Sequence, residues 1–297
     1  MIEPVLVSVV TPSLNQAGTI ADTLESVRRQ IHPHIEHIVV DGGSTDGTLE
    51  ILAAAGESVR WASEPDTGMY DALNKGFAQA SGEILAYLNT DDAWFPWTVA
   101  RAVEALGRHR DAGFVFGDLL IEGPSGQLRL DFHPPFRLAY LRRHGFLAQP
   151  TVFLRRSVWE EAGPFDASLQ LLGDIEYWSR IAERFPGRKV NEVLALQRNH
   201  PDAKRFAQPD VLAAELAAVR ARYPRPGRLR GRLAWAEATL WRRLFTLAFL
   251  AGRGGWAHFL RESGVRISRV RLAATMLPFV GRPFAAGAIR PERTFPA

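Results

Sequence analysis

The chain has 297 residues, 46% apolar and 23% charged; that suits one large α/β domain with an appendage, or two modest domains, and is not the composition of a disordered or collagen-like protein. It contains no cysteine, which excludes disulfides, thiolate metal sites and cysteine nucleophiles and leaves oxygen or imidazole to hold any metal. Charge is unevenly placed: residues 222–297 carry 15 arginines against three glutamates, a net of +12, while residues 1–221 carry a net of −8, giving +4 for the whole.

The first residues, Met1 to Val10, lack a basic region and reach Pro12 after too few apolar residues for a secretion signal, so a cytoplasmic protein is expected. Val5 to Val10 reads as a strand buried on both faces. A helix from about Thr19 to Gln30 follows, with Ile20, Leu24 and Val27 on one face and Thr19 as its cap. Glu36 to Val40 is a second strand, Thr45 to Ala54 a second helix, and Val59 to Ser63 a third strand. Met69, Leu73 and Phe77 recur at four-residue spacing on a third helix, and Ile84 to Leu88 forms a fourth strand. This alternation implies a parallel sheet covered on both sides.

Beyond Asp92 the pattern turns to mixed α+β. Phe114 to Glu122 and Gln127 to Phe132 flank a Gly-Pro-Ser-Gly turn and read as a hairpin. Asp174 to Arg184 reads as a helix and Lys189 to Arg198 as a strand. From Ala213 the chain reads as mostly helical, broken by Pro224 to Gly227 and by Gly252 to Gly255. On a helical wheel, Leu233 to Ala251 places Leu233, Leu240, Trp241, Leu244, Phe245, Leu247 and Ala248 on one broad face, with Thr239, Arg242, Arg243 and Thr246 opposite and Glu237 the misfit. Such a face either packs on the body of the protein or, with Trp241, Trp256 and the flanking arginines, lies in a membrane interface. The expected partner is therefore an anionic membrane surface. Nucleic acid is not expected, because the body is acidic.

Ligands of an open parallel sheet bind beyond the carboxyl ends of its strands. Here those positions carry Thr11-Pro12-Ser13-Leu14-Asn15, Asp41 to Gly47, Glu64-Pro65-Asp66 and Asn89-Thr90-Asp91-Asp92. Asp91 and Asp92 are adjacent carboxylates after an apolar strand. They either form a solvated turn capping the helix that begins near Pro96, or hold a divalent cation that relieves their repulsion. Mg2+ or Mn2+ suits the second reading, since either needs only one or two carboxylates beside water and phosphate.

Taken in order, Val9 to Asn15, Val39 to Thr48, Gly68 to Gly76 (Gly-Met-Tyr-Asp-Ala-Leu-Asn-Lys-Gly) and Gly82 to Asp92 resemble the inverting glycosyltransferases of family 2. The resemblance implies the GT-A fold, a Rossmann-like, mostly parallel sheet flanked by helices. It implies a nucleotide-diphosphate sugar donor, with Thr11, Pro12, Ser13, Asn15, Asp41, Asp71, Asn74, Lys75 and Asp91 as donor-binding positions. Asp92 is then the principal metal ligand, beside Asp91. Many members carry two aspartates after the second strand; here the second is Gly42, so Asp41 is expected to take over the nucleoside contact. A second block, Gly163-Pro164-Phe165-Asp166 through Gly173-Asp174-Ile175-Glu176-Tyr177-Trp178, resembles the segment holding the family's catalytic base, with Asp174 at the matching position. Asp174 either takes the acceptor's proton or caps the helix that follows, and both roles are compatible.

Gln149 and Glu176 are expected at the acceptor cleft, Gln149 contacting a sugar hydroxyl or a backbone group. Asn199 to Lys204 resembles a loop that folds over the donor, with His200 expected at the metal and Lys204 at the phosphates. The expected organisation is a catalytic domain over residues 1–205 and a helical, arginine-rich extension over 206–297. The expected acceptor is a glycan or lipid-linked hydroxyl, with the enzyme peripheral on the cytoplasmic leaflet and its oligomeric state open. A nucleotidyltransferase would need a glycine- and arginine-rich phosphate loop after the first strand, which Thr11 to Asn15 is not. A binding module with degenerate acidic loops is the non-enzyme alternative.

Overall fold

The computed structural model describes residues 5–144, 147–199, 208–250 and 270–272. The first half alternates as expected: β1 (Val7–Ser13), α1 (Ile20–Arg28), β2 (Ile35–Asp41), α2 (Thr48–Ala54), β3 (Arg60–Ser63), α3 (Met69–Gln79) and β4 (Ile84–Tyr87). These four strands are parallel in the order β4-β1-β2-β3. The chain moves outward from β1 through β2 to β3 and then returns to the other side of β1. The switch point thus falls between β1 and β4, where a doubly wound sheet opens its ligand crevice.

The second half is β5 (Ala93–Trp94), α4 (Thr98–Arg108), β6 (Phe114–Glu122), β7 (Leu128–Asp131), α5 (Leu138–His144), β8 (Phe153–Arg155), α6 (Arg156–Ala162), α7 (Gly173–Ile181), β9 (Gly187–Arg198), α8 (Pro209–Arg222), α9 (Arg228–Leu250) and β10 (Val270–Leu272). The β6–β7 hairpin forms as expected. The short strand β8 was not expected; it lies antiparallel between β4 and β6 and joins the two halves into one sheet. β9 pairs parallel with β6 and antiparallel with β5, which draws the end of β9 back toward Asp91 and Asp92. The result is a mostly parallel α/β sheet with antiparallel insertions.

Strand residues alternate between two apolar layers. Val10, Leu85 and Tyr87 face a cluster with Tyr70, Leu73 and Phe77 of α3 and Tyr177 and Trp178 of α7, while Val7, Val9, Ile84 and Ala86 face Val99, Ala102 and Leu106 of α4. Helix α2 begins three residues later than expected. Its N-cap is Gly47 at φ 96°, and neither Ser44 nor Thr45 caps it, because both are engaged in the loop below. Thr19 likewise makes no capping bond to α1; its hydroxyl donates to Gln16 Oε1.

Helices α8 and α9 are separated at residues 224–227 and both pack on the body. The single apolar face expected of α9 divides in two. Ala234, Ala238 and Phe245 are buried, with Trp241 and Ala248 packed beside them, whereas Leu229, Leu233, Leu240, Leu244 and Leu247 are exposed. Arg242 is on the inner side, its Nε donating to Phe132 O at 3.0 Å and its guanidinium over the Tyr140 ring. Glu237, the misfit on the wheel, pairs with Arg137 at 2.8 Å.

Candidate active site

The carboxyl ends of β1, β2 and β3 are aligned, Ser13 opposite Asp41 and Asp41 opposite Ser63. Asp41 is fully buried, and its carboxylate accepts hydrogen bonds from Gly43 N, Ser44 N, the Ser44 hydroxyl and the Ser63 hydroxyl. Burial alone would raise its pKa, but these donors more than offset it and hold the carboxyl below its ordinary value. The loops after β1 and β2 are laced together. Asn15, at φ 53°, accepts from Thr45 N through Oδ1 and donates its own N–H to Ser44 Oγ, and Ala17 N donates to Asp46 Oδ2. Asparagine tolerates that left-handed backbone better than most residues.

Asp41 therefore shapes the loop with the acceptor capacity expected to reach the nucleoside. The carboxylate that occupies the space above Gly42 is Asp66. A Cβ on Gly42 would lie 2.7 Å from Asp66 Oδ2, and Asp66 Oδ1 accepts from Gly68 N at 2.9 Å.

Next to β1, the turn after β4 is held from α1 by Thr23, whose buried hydroxyl donates to Asp92 O at 2.7 Å and lies 2.9 Å from Thr90 O. Asp92 is buried, its Oδ1 accepting from Arg198 N at the end of β9. Arg198 also reaches Asp91 O and Asp22. Among the described residues no third His, Cys, Asp or Glu completes a metal-binding group. Two neighbouring carboxylates with no sulfur are a hard-oxygen set that fits Mg2+ or Mn2+, ions that commonly take the rest of their shell from water and phosphate. His200 and Lys204 lie outside the described residues.

Asp174 sits in the first turn of α7. Its Oδ1 accepts from Ile175 N at 2.8 Å, and its backbone N–H donates to the Tyr70 hydroxyl at 3.1 Å. That approach requires a glycine at 173, because a Cβ there would lie 2.6 Å from the Tyr70 ring. Beneath the pair is an aromatic floor in which Phe165 stacks on Tyr177 with centroids 4.1 Å apart and also contacts Tyr70, Tyr87 and Trp178. Burial raises the Asp174 carboxyl to about 6; the Ile175 N–H and Tyr70 pull against that rise, and the charge of Glu215 adds to it. The helix N-terminus is thus supplied with an acid that is mostly ionised at neutral pH yet more basic than an ordinary carboxylate.

Several expected contact residues are spent on holding this frame. The Thr11 hydroxyl turns into the core to His37, whose burial lowers its pKa to about 4 and keeps it neutral. Pro12 and Ser13 are buried at the end of β1, and Ser13 O accepts from Gly42 N. The Asn74 amide pairs with both the N–H and the carbonyl of Phe165. Asp71 accepts from Thr67 N, and Lys75 pairs with Glu64 and Asp71. The Gln149 amide bridges Asn89 and Tyr87 O, so it satisfies backbone and loop groups with the contacts expected to serve an acceptor. Glu176 is buried against Arg180 and the Tyr223 hydroxyl, so its carboxylate is occupied inside the fold. Residues that sequence reasoning missed are Thr23, Asp66, Tyr70 and Glu215. Asp66 and Tyr70 lay within or beside quoted motifs; Thr23 and Glu215 gave no local signal.

Comparison with known proteins places this geometry. The family model described as glycosyl transferase family 2 matches residues 8–158. A Mycobacterium bovis PGL/p-HBAD biosynthesis glycosyltransferase is 31% identical over 179 residues, covering 57% of this chain and 67% of the relative. A Bacillus subtilis protein named for teichuronic acid biosynthesis, TuaG, is 33% identical over 202 residues, covering 65% of this chain and 79% of the relative. Among solved structures, S. aureus TarS 1-349 in complex with UDP-GlcNAc matches with a TM-score of 0.60 at 17% identity, covering 85% of this chain and 69% of that one. Against the longer TarS chain the match spans 41% of its length. The mannosyltransferase PcManGT of Pyrobaculum calidifontis, in complex with GDP-Man and Mn2+, matches with a TM-score of 0.59 at 20% identity, covering 88% of this chain and 79% of that one. The chain has the GT-A fold and belongs to glycosyl transferase family 2.

Proposed function

We propose that this glycosyltransferase moves a sugar from a nucleotide-diphosphate donor to a hydroxyl of a glycan or lipid-linked acceptor, with inversion at the anomeric carbon. The observation that carries this reading is that Tyr87, the last residue of β4, lies within electrostatic reach of both Asp92 and an Asp174 whose carboxyl is raised to about 6. Asp174 takes the proton from the acceptor hydroxyl as that oxygen bonds to the anomeric carbon, while the bond from that carbon to the diphosphate oxygen breaks and its electrons leave with the nucleoside diphosphate. Asp92, with Asp91, would hold Mg2+ or Mn2+, which when bound supplies positive charge to the leaving diphosphate. Thr23 and Arg198 keep that turn in place, and Asp66 is the carboxylate set to meet the nucleoside above Gly42. The mycobacterial and Bacillus relatives support an acceptor in glycolipid or surface-polysaccharide assembly.

The test is a thermal-shift screen of UDP-, GDP- and dTDP-sugars with and without Mn2+, followed by NMR of the product made from the stabilising donor. A donor with an α-linked sugar is expected to give a β-linked product. Retained configuration would refute the displacement mechanism, and the absence of metal-dependent release of nucleoside diphosphate would refute a catalytic role for these loops.

The leucine stripe of α9 supports a second element of the proposal, a peripheral position on the cytoplasmic leaflet. Leu229, Leu233, Leu240, Leu244 and Leu247 are exposed on one face of a helix whose first turns carry the exposed Arg228, Arg230 and Arg232, the pairing of apolar area and positive charge that suits an anionic lipid surface. No described helix is long and apolar enough to cross a membrane. Leu240→Ser/Leu244→Ser is expected to reduce co-sedimentation with anionic vesicles; unchanged binding would remove this face as the anchor.

A further inference from the structure

Glu215 lies in the middle of α8, 41 residues beyond Asp174, yet it is buried and its carboxylate gathers three consecutive backbone donors. Gln170 N donates to Oε1 at 2.5 Å, and Leu171 N and Leu172 N donate to Oε2, each at 2.9 Å. These amides belong to the segment that enters α7, and Leu172 is the N-cap residue of that helix. Leu172 offers no side-chain cap, so the carboxylate of a different helix supplies the negative charge that a helix N-terminus favours. Charge-assisted bonds of this kind are the strong ones among hydrogen bonds. Two further contacts tie the C-terminal end of α8 to the α7 region: Arg222 pairs with Asp166 at 2.7 Å, and the Tyr223 hydroxyl donates to Glu176 at 3.0 Å.

We infer that Glu215 is a positioning residue for the catalytic base: by clamping residues 170–172 it fixes the first turn of α7 and with it the direction of the Asp174 carboxyl. The inference rests on the proposed role of Asp174. It also extends the catalytic unit through α8, past the boundary at 205 that the family resemblance implied. The groups that face Asp174 electrostatically are Tyr70 of α3, Tyr87 of β4 and Glu215 itself. Of these, it is the Glu215 carboxylate whose charge favours the protonated form of Asp174.

Glu215→Gln in the full chain tests the idea. The amide side chain offers one acceptor oxygen where the carboxylate offered two, so the clamp loosens, and it removes a negative charge near Asp174. The expected result is a kcat at least about 10-fold lower with donor KM unchanged, because small displacements of a reacting group are costly. The acid limb of the pH profile, expected in the wild type near the raised value of about 6 for Asp174, should also move to lower pH. Glu215→Asp keeps the charge but is one methylene too short, so kcat should fall without the displaced limb. Wild-type kcat, or an unmoved acid limb, in a Glu215→Gln protein that still shows donor-dependent thermal stabilisation overturns the inference. If Glu215→Gln does not fold, wild-type kcat in Glu215→Asp overturns it. Asp174→Asn measured alongside separates the two levels: normal turnover in that variant overturns the assignment of the base, whereas an inactive Asp174→Asn beside a normal Glu215→Gln overturns only the clamp.

Discussion

Asp174→Asn is expected to abolish turnover and, at neutral pH, to stabilise the fold. In the folded protein burial raises this carboxyl from 3.8 to about 6, about two units, and each unit corresponds to about 1.36 kcal/mol. A folded-state pKa above the unfolded value means that the native state binds more protons between these limits, so its contribution is fully present below pH ~3.8 and is lost as pH rises through ~6. Ionised Asp174 thus costs the native state up to about 3 kcal/mol at pH 7. Because the side chain is only partly buried by solvent exposure, about 1–3 kcal/mol is the appropriate range. Asparagine keeps an oxygen to accept the Ile175 N–H and carries no charge. For a chain of this size the relief is worth roughly 2–6 °C in Tm. Thermal unfolding of both proteins from pH 4 to pH 8 should give curves that coincide near pH 4 and separate above pH 6, while turnover of the variant falls at least ~100-fold. A variant less stable than wild type at pH 7, or a Tm difference independent of pH, would refute the claim that this site stores strain in an ionised base.

Three other outcomes follow from the same geometry. Asp92→Asn should keep the fold but lose Mn2+-dependent affinity for nucleoside diphosphate, measured by calorimetry; retained affinity removes Asp92 from the metal site. Tyr70→Phe removes the acceptor of the Asp174 N–H and a group that helps hold the carboxyl down, so the acid limb of kcat/KM should move to higher pH and kcat should fall roughly 10-fold. An unchanged profile would leave Tyr70 as packing alone. Gly42→Ala places a methyl 2.7 Å from Asp66 Oδ2, the end of a side chain that can swing aside, so its cost should stay below the ~1–3 kcal/mol of core overpacking and should disappear in an Asp66→Ala background; additive effects in that double-mutant cycle would show that the two positions do not meet.

Sequence alone determined the elements whose signal is local. Runs such as Val7 to Val10 and the four-residue recurrence of Met69, Leu73 and Phe77 depend on the 2.0 and 3.6 periods of strand and helix, and so does the polar edge at Asp41, Asp91 and Asp92. The ordered motifs were enough to recognise family 2 and its fold. Tertiary structure decided the rest, because the deciding contacts join residues far apart in the chain. β8 is three residues long, too short for any period to mark it, and only its neighbours β4 and β6 make it a strand. The α9 wheel could sort apolar from polar residues but not say which apolar side meets the body; Phe132 and Tyr140 settle that by drawing Arg242 inward. Asn74, Lys75, Gln149 and Glu176 stand in chemically suggestive places, yet a polar side chain that can bind a ligand can equally satisfy a group of the protein itself, and only the assembled fold shows those partners: backbone groups for Asn74 and Gln149, charged or hydroxyl side chains for Lys75 and Glu176. Glu215 is the extreme case: an ordinary glutamate on a helix by every local measure, it becomes the clamp on residues 170–172 because folding brings its carboxylate to three consecutive backbone amides.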